Sequence, residues 1–186
     1  FSRLGHIQQA YYITQWYPKP AVFDQNGWHP MPYLDQGEFY SEFGSFDVSI
    51  RLPKNYVLAA SGDRVEAEEE EQFLNNLENR SRDLLEAGAM DTLRNRNLKS
   101  DSLYKTIRFR QSRIHDFAWF ADKRFLLLTD QVELPTSGRV VDTRVYFTPG
   151  NARYWKKAIS YVNDAVLFYS RQLGDYPYNQ VSAVDG

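Results

Sequence analysis

The histidines are the first residues to test for chemistry, because the helical zinc site of a peptidase needs two of them four residues apart, together with a more distant carboxylate. The sequence holds three, His6, His29 and His115, and no two of them have that spacing. It contains no cysteine and no Gly-x-Ser-x-Gly segment, so neither a thiolate ligand nor a nucleophile elbow is available. The sequence therefore predicts no catalytic residue and no metal ligand in this chain.

His115 stands directly before Asp116, and a histidine beside a carboxylate can act as a general base or as a metal ligand. Adjacent positions of a strand point to opposite faces, however, so the two side chains are poorly placed to act together. We interpret His115 as a structural histidine that hydrogen-bonds the backbone, and we interpret His6 and His29 in the same way.

Two runs of charge could be taken for binding sites. The carboxylates of residues 66–71 could hold a cation, but they precede a helical pattern and are typical of a solvated helix N-terminus. Several basic residues could form a nucleic-acid patch: Arg94, Arg96, Lys99, Lys105, Arg108, Arg110 and Arg113. Because Arg108 and Arg110 alternate with apolar residues, we favour the wet face of a strand instead.

The composition predicts a folded protein with no nucleic-acid partner and no membrane span. Its hydrophobic content of 42% argues against disorder, and its net charge of −2 gives no general attraction to nucleic acid. No apolar run, of which Phe125–Leu128 is an example, approaches the roughly 20 residues that a spanning helix needs.

Apolar alternation and turn signals predict strands over much of the chain. We expect strands within residues 7–16 and at 56–61, 104–113, 116–121, 125–129, 140–147 and 181–184, with a structured Pro-rich loop at 19–34. Phe39, Ser41 and Phe43 share one parity, whereas Phe46 and Val48 share the other. A bulge or kink at Gly44 would keep both sets facing a core.

Helices are expected at about 65–97 and 151–173. Gly88 should interrupt the first, and Gly174 should end the second. The second pattern carries one apolar stripe at spacings of 4, 3, 4, 3 and 4, which predicts a single helix of about six turns. Its members are Trp155, Ile159, Val162, Val166, Tyr169 and Leu173.

Five segments together resemble the aminopeptidase N-like zinc metallopeptidases, or gluzincin aminopeptidases. Three lie in the first third of the chain: ITQWYPK at 13–19, GEFYSEFGSFDV at 37–48 and LPKNYVLAASG at 52–62. HDFAW at 115–119 and YPYNQV at 176–181 follow in the second half. A match of this extent, with unusual residues in register, is far more specific than a short motif.

The resemblance implies a mainly β fold with α additions. Residues 1–148 would form a saddle-like antiparallel β domain with a helical insertion at about 63–100, and residues 149–186 would open an α/β peptidase domain. The family's Gly-x-Met-Glu-Asn and HExxH motifs would come after Gly186. We therefore expect a fragment of a peptidase that serves as scaffold and as one wall of the peptide cleft. No cofactor is expected in this chain, zinc is expected in the full-length parent, and the periplasm or cell envelope is favoured.

The resemblance also points to a substrate-binding place at Gln15 and Tyr17, where many family members carry a side chain that reaches the free amino group of the substrate. A phenol at position 17 can accept a hydrogen bond from an ammonium group but carries no charge. Tyr17 as an aromatic residue packed near Trp16 and Pro18 is the alternative. The expected partners are a peptide substrate and the rest of the catalytic domain.

A competing hypothesis is a stand-alone, non-catalytic β-rich module for peptide or carbohydrate. The aromatic residues, including Trp16, Trp28, Trp119 and Trp155, could stack on sugars or line a groove. In either case the apolar stripe of the helix at 151–173 needs a cover. The helix could fold back on the β domain, two chains could pair through their helices, or the segment could fray, and we favour pairing or crystal contacts through this face.

Overall fold

The structure is a computed structural model that describes residues 4–32, 34, 40–93 and 97–186. Its strands in chain order are β1 (Leu4–Ile7), β2 (Ala10–Ile13), β3 (Val22–Asp24), β4 (Gly27–His29), β5 (Gly44–Pro53), β6 (Val57–Ala60), β7 (Asp63–Val65), β8 (Tyr104–Ile114), β9 (Trp119–Asp122), β10 (Leu126–Glu133), β11 (Val140–Phe147) and β12 (Gln180–Val184). Its helices are α1 (Glu68–Glu86), α2 (Ala152–Trp155) and α3 (Ala158–Leu173), with 3-10 turns at Ala89–Leu93 and Pro149–Asn151.

These strands form three sheets and a hairpin within the described part of the chain. Sheet I has the order β1-β2-β9-β6, sheet II the order β5-β8-β7, and sheet III the order β10-β11-β12. All neighbours are antiparallel except β11 and β12, which run parallel, and β3 pairs with β4 as a separate hairpin. The predicted mainly antiparallel β fold with α additions is confirmed.

Sheets I and II pack face to face around an aromatic-rich core. Ile50 and Phe109 of sheet II meet Leu58 and Ala121 of sheet I, and Phe117, which follows β8, is completely buried among them. The other face of β6 is also covered, since Val57 and Ala59 pack against α1 and sheet III. This double burial explains the continuous apolar run of β6, where no polar alternation is visible.

Sheet III lies between α1 on one side and α3 on the other. Leu127 packs with Leu74 of α1, whereas Leu126 and Leu128 point to the opposite face and pack near Ile159 and Val162. Ser81 of α1 is completely buried, and its hydroxyl accepts the backbone N–H of Leu127 at 3.0 Å. No helix among the described residues is long and apolar enough to cross a membrane.

The phase change at Gly44 is a register shift between Gly44 and Phe46, as predicted. The expectation that both apolar sets face a core is wrong for Phe43, which is exposed and contacts the ring of His115. The strand begins only at Gly44, so no sheet lies beneath Phe43. Phe39 lies outside the described residues, as do Arg94 and Arg96 of the basic set.

The prediction of one helix over 151–173 is wrong, because the chain leaves the helix at Lys157, where φ is −108° and ψ is 1°. The short α2 is held in place by Asn151, which donates two hydrogen bonds of 2.9 Å to the carboxylate of Asp185, and the break redirects the chain so that α3 can lie on sheet III. Gly174 ends α3 with φ of 100°, as predicted. In the first helical region Gly88, with φ of 63°, separates α1 from the following 3-10 turn.

Most of the apolar stripe is covered within the chain. Trp155, Ile159, Val162 and Val166 pack against sheet III, whereas Tyr169 and Leu173 are exposed where α3 runs past the sheet. Sheet III itself joins β10 and β11 with β12, and so crosses the boundary predicted at residue 148. The division into two domains stays a prediction.

Candidate functional site

The three histidines lie in separate places and have separate partners. The ring of His6 stacks on Tyr11 at 4.5 Å, and His29 Nε2 lies 2.8 Å from the carboxylate of Asp24. His115 Nε2 lies 3.0 Å from the hydroxyl of Ser41, so the bond that holds it goes to a side chain and not to the backbone as predicted. Asp116 has other partners, but neither residue lies in a strand, so the strand alternation expected to separate the two side chains does not apply here.

Metal binding has no ligand set in the described part of the chain. No group of three or more His, Cys, Asp or Glu side chains there is arranged to hold an ion. These described residues therefore do not fit the zinc that the family resemblance implies, and a zinc site in the parent stays a prediction.

The carboxylate of Asp116 connects two of the family-like segments. It accepts hydrogen bonds from the Tyr17 hydroxyl at 2.9 Å and from the Phe117 N–H at 2.8 Å, and it pairs with Lys19 Nζ at 3.1 Å. These bonds turn the chain at residues 115–118 away from strand geometry. For this reason β9 begins at Trp119, not at Asp116 as predicted.

Tyr17 is held as a packed aromatic side chain. Its ring lies 5.4 Å from that of Phe46 and 5.6 Å from that of Trp16, and the Trp16 indole donates to Phe117 O at 2.9 Å. Burial and the hydrogen bond to Asp116 raise the pKa of Tyr17 well above its usual range, so its hydroxyl stays a donor at physiological pH. Gln15 beside it has a left-handed backbone with φ of 50°. Substrate contact at Gln15 and Tyr17 stays a prediction.

A third family-like segment, residues 176–180, reaches across to the edges of sheets I and II. The Tyr178 hydroxyl donates to Arg113 O at 2.8 Å, and the Asn179 amide donates to Asp63 at 2.7 Å. Gln180 Nε2 donates to Ala60 O at 3.3 Å and to Gly62 O at 3.2 Å. These bonds hold residues 176–180, the segment that leads into β12, against β8 and the turn between β6 and β7.

A cleft of about 200 Å³ lies between β6 and β12. Both strands are at the edge of their sheets, and side chains already donate to two of their backbone carbonyls, Ala60 O and Gln180 O. Its lining is uncharged among the described residues and includes Ala60, Gly62, Ala118, Tyr176, Gln180 and Ser182. Burial, and then the neighbouring Tyr178, raises the pKa of Tyr176, whose hydroxyl donates to Gln180 O. This lining can bind an extended chain through main-chain hydrogen bonds, but it offers no general base.

A more polar cleft of about 240 Å³ adjoins the first and shares Gln180 and Ser182 with it. Two ion pairs border it: Arg64 with Glu71 at 2.6 Å, and Arg144 with Asp142 at 3.0 Å. Each guanidinium is thus matched by a carboxylate, and a third carboxylate of the lining, Asp63, accepts the hydrogen bond from Asn179.

The predictions for the basic run and for the acidic run have different outcomes. Arg108 and Arg110 lie on the wet face of β8, as predicted, and both pair with Asp47. The interpretation of residues 66–71 as a solvated helix start is wrong for Glu70, which is buried and pairs with Lys105 Nζ at 2.7 Å. Nothing in the local pattern distinguishes Glu70 from its acidic neighbours, because its partner comes from β8, 35 residues later.

The sequence predicted no role for three residues that line much of the cleft, Gln180, Gly62 and Tyr176. They stand inside or beside the family-like segments, and that position is the one signal that could have drawn attention to them.

No protein-family model matches the chain, and no curated protein matches it. Solved structures that resemble it include a mutant two-domain M1 zinc metallopeptidase bound to L-tryptophan, another such mutant bound to L-arginine, and an M1 zinc metallopeptidase from Deinococcus radiodurans. Each has 14% sequence identity and a TM-score of 0.45, over 75% of this chain and 26% of the other. The chain thus spans about a quarter of the length of each structure. At this identity and score, the likeness alone assigns no function.

Proposed function

We propose that this chain is the β part and the first catalytic-domain elements of an aminopeptidase N-like zinc metallopeptidase. In that protein it acts as scaffold and as one wall of the peptide-binding cleft, and it contributes no catalytic group. Zinc and its ligands belong to the rest of the parent protein in this proposal.

One observation carries the proposal: three of the five family-like segments, 52–62, 115–119 and 176–181, line a single cleft, and a fourth, 13–19, is bonded to one of them. Residues 14–19 are bonded to residues 116–117, the neighbouring Ala118 lines the cleft between β6 and β12, and residues 176–180 form its other side. Two strand edges facing an uncharged cleft suit an extended peptide backbone.

The reading frame that encodes this chain tests the family assignment. We expect it to contain HExxH and a downstream Glu beyond Gly186, and we expect its purified product to bind zinc and to hydrolyse aminoacyl p-nitroanilides in a chelator-sensitive way. A frame without HExxH, or a product without such hydrolysis, would overturn the assignment.

The cleft-wall role needs a separate experiment on that product. Ser182→Phe would fill the cleft and should raise KM for short peptides, whereas Ser49→Phe on the exposed face of sheet II should leave KM unchanged. If KM is the same in both variants while each melts like the parent, the cleft is not part of the substrate site, even where the family assignment holds.

A stand-alone binding module is the second candidate function, and the β3-β4 hairpin favours it. Phe23 and Trp28 are cross-strand neighbours that are 64% and 68% exposed, with ring centroids 4.9 Å apart. Packing therefore does not account for Trp28, and an exposed aromatic pair of this kind can stack on a sugar or hold an apolar peptide side chain.

Glycan and peptide arrays probed with the 186-residue chain test this candidate. Binding that is lost in Trp28→Ala but kept in Tyr154→Ala, another exposed aromatic position, would support it. Absence of binding to every array member, or equal binding by both variants, would reject a role of the hairpin.

A further inference from the structure

Helix α3 carries a second apolar stripe on the face turned away from sheet III. Tyr161, Ala165 and Phe168 recur at spacings of 4 and 3, and Gln172 continues the row after four more residues. All four side chains are exposed, with Tyr161 62% and Phe168 58% accessible. Spacings of 4 and 3 are those of the seam along which two helices pack in a coiled coil.

Opposite charges flank this stripe on one side. Asp164 and Arg171 are seven residues apart, so they lie two turns from each other on the same edge of the row. Both are exposed, and neither side chain makes an ion pair or a hydrogen bond with another described residue. A carboxylate and a guanidinium separated by two turns cannot reach each other within one helix.

We propose that two copies of this chain pair through the stripe, with their α3 helices antiparallel. A two-fold axis between Leu167 and Phe168 sets Asp164 opposite the partner's Arg171, and Arg171 opposite the partner's Asp164. Both ion pairs then form at once, because a symmetric interface repeats each contact. A parallel pair would set Asp164 level with the partner's Asp164 and would gain nothing from the charges.

The side chains of the stripe suit the same arrangement. Around that axis the Phe168 rings meet near the centre, and the small Ala165 leaves room for the partner's Phe168. Tyr161 lies at the rim, where its hydroxyl can stay in water while its ring packs. Lys157, one heptad before Asp164, lies level with a position beyond the end of the partner helix and does not oppose the pairing.

The pairing is independent of the proposed function and uses a different face from the stripe that begins at Trp155. It is also weak. Stable protein interfaces bury about 1,200–2,000 Å² in total, and a contact limited to one 16-residue helix from each chain is small by that standard. We therefore expect a monomer–dimer equilibrium with a dissociation constant between micromolar and millimolar.

Sedimentation velocity of the 186-residue chain, from low micromolar to near-millimolar concentration, tests the proposal through a charge swap. Asp164→Arg alone, or Arg171→Asp alone, should raise the dissociation constant by about tenfold or more, because each turns two attractive pairs into two repulsive ones. The double variant carrying both changes should restore the parent value. Tyr154→Ser, which removes an exposed aromatic side chain outside α3, serves as the matched control and should not change it.

A monomer at every concentration would overturn the proposal, and would mean that this face is covered by another part of the parent protein or by a different partner. A dissociation constant that neither single charge reversal changes, or that the double variant does not return to the parent value, would also overturn it. All substituted side chains are exposed, and unchanged thermal melts of the variants at low concentration verify that each has folded.

Discussion

Replacing Gly62 by alanine should disturb the turn on which the cleft is built. Gly62 has a left-handed backbone with φ of 83°, and a Cβ at this position would lie 2.8 Å from Arg110 O and 3.0 Å from Gln111 Cβ. Its own carbonyl accepts a hydrogen bond from Gln180, so any shift of the turn also loosens the approach to β12.

The expected cost has two parts. A left-handed backbone costs a non-glycine residue about 1–2 kcal/mol, and forcing an extra carbon into a closed space costs about 1–3 kcal/mol. Gly88 provides the matched control, because it is also left-handed, with φ of 63°, but a Cβ there meets nothing within 4 Å. Gly88→Ala should therefore show the first part alone, and Gly62→Ala the sum of about 2–5 kcal/mol.

Urea unfolding followed by tryptophan fluorescence measures both free energies of unfolding, and thermal melts check them at about 2–4 °C per kcal/mol for a chain of this size. If Gly62→Ala costs no more than Gly88→Ala, the close approach to Arg110 is not a constraint, and the assignment of this turn as the fixed wall of the cleft is wrong.

Three further predictions concern charge and activity. Hydrogen bonds from Arg108 and then Arg110 lower the pKa of Asp47 to about 2, against about 4 in an unfolded chain. The ionised carboxylate therefore adds stability above pH 4 that is lost as the pH falls toward 2, so thermal melts of Asp47→Asn should decline less over that interval than those of the parent. Lys105→Met leaves the buried Glu70 carboxylate without its cation and should cost about 3–5 kcal/mol in urea unfolding, whereas adding Glu70→Gln should recover part of the loss; equal costs would contradict a coupled pair. The purified chain should hydrolyse no aminoacyl or peptide substrate with or without added zinc, because it lacks the required histidine pair; chelator-sensitive turnover would contradict this.

Local pattern was sufficient for some elements. Strand β11 has the predicted bounds, Val140–Phe147, because the Pro135–Gly138 turn and the Pro149–Gly150 pair delimit it on both sides. The bulge at Gly44 and the end of α3 at Gly174 were also predictable, since each depends on a glycine at the start or directly after the end of its own element.

Other features depend on contacts between distant parts of the chain. The bond between Tyr17 and Asp116 spans 99 residues, and the break at Lys157 contains neither proline nor glycine that would announce it. Leu173 continues the apolar periodicity perfectly, yet it is exposed because α3 extends beyond the sheet. Periodicity reports which residues share a face, but what lies beneath that face is a property of the whole fold.

The parallel pairing of β12 with β11 affects how the protein folds while it is being synthesised. Residues 142–146 of β11 cannot pair with residues 180–184 of β12 until the latter have been synthesised. The nascent chain therefore exposes the β11 edge of sheet III while α3 is still being made. Strand edges of this kind are where unfinished chains join one another, and non-local pairing of this kind is slow to form. The yield of folded protein in the cell should therefore depend on how quickly β12 pairs with β11.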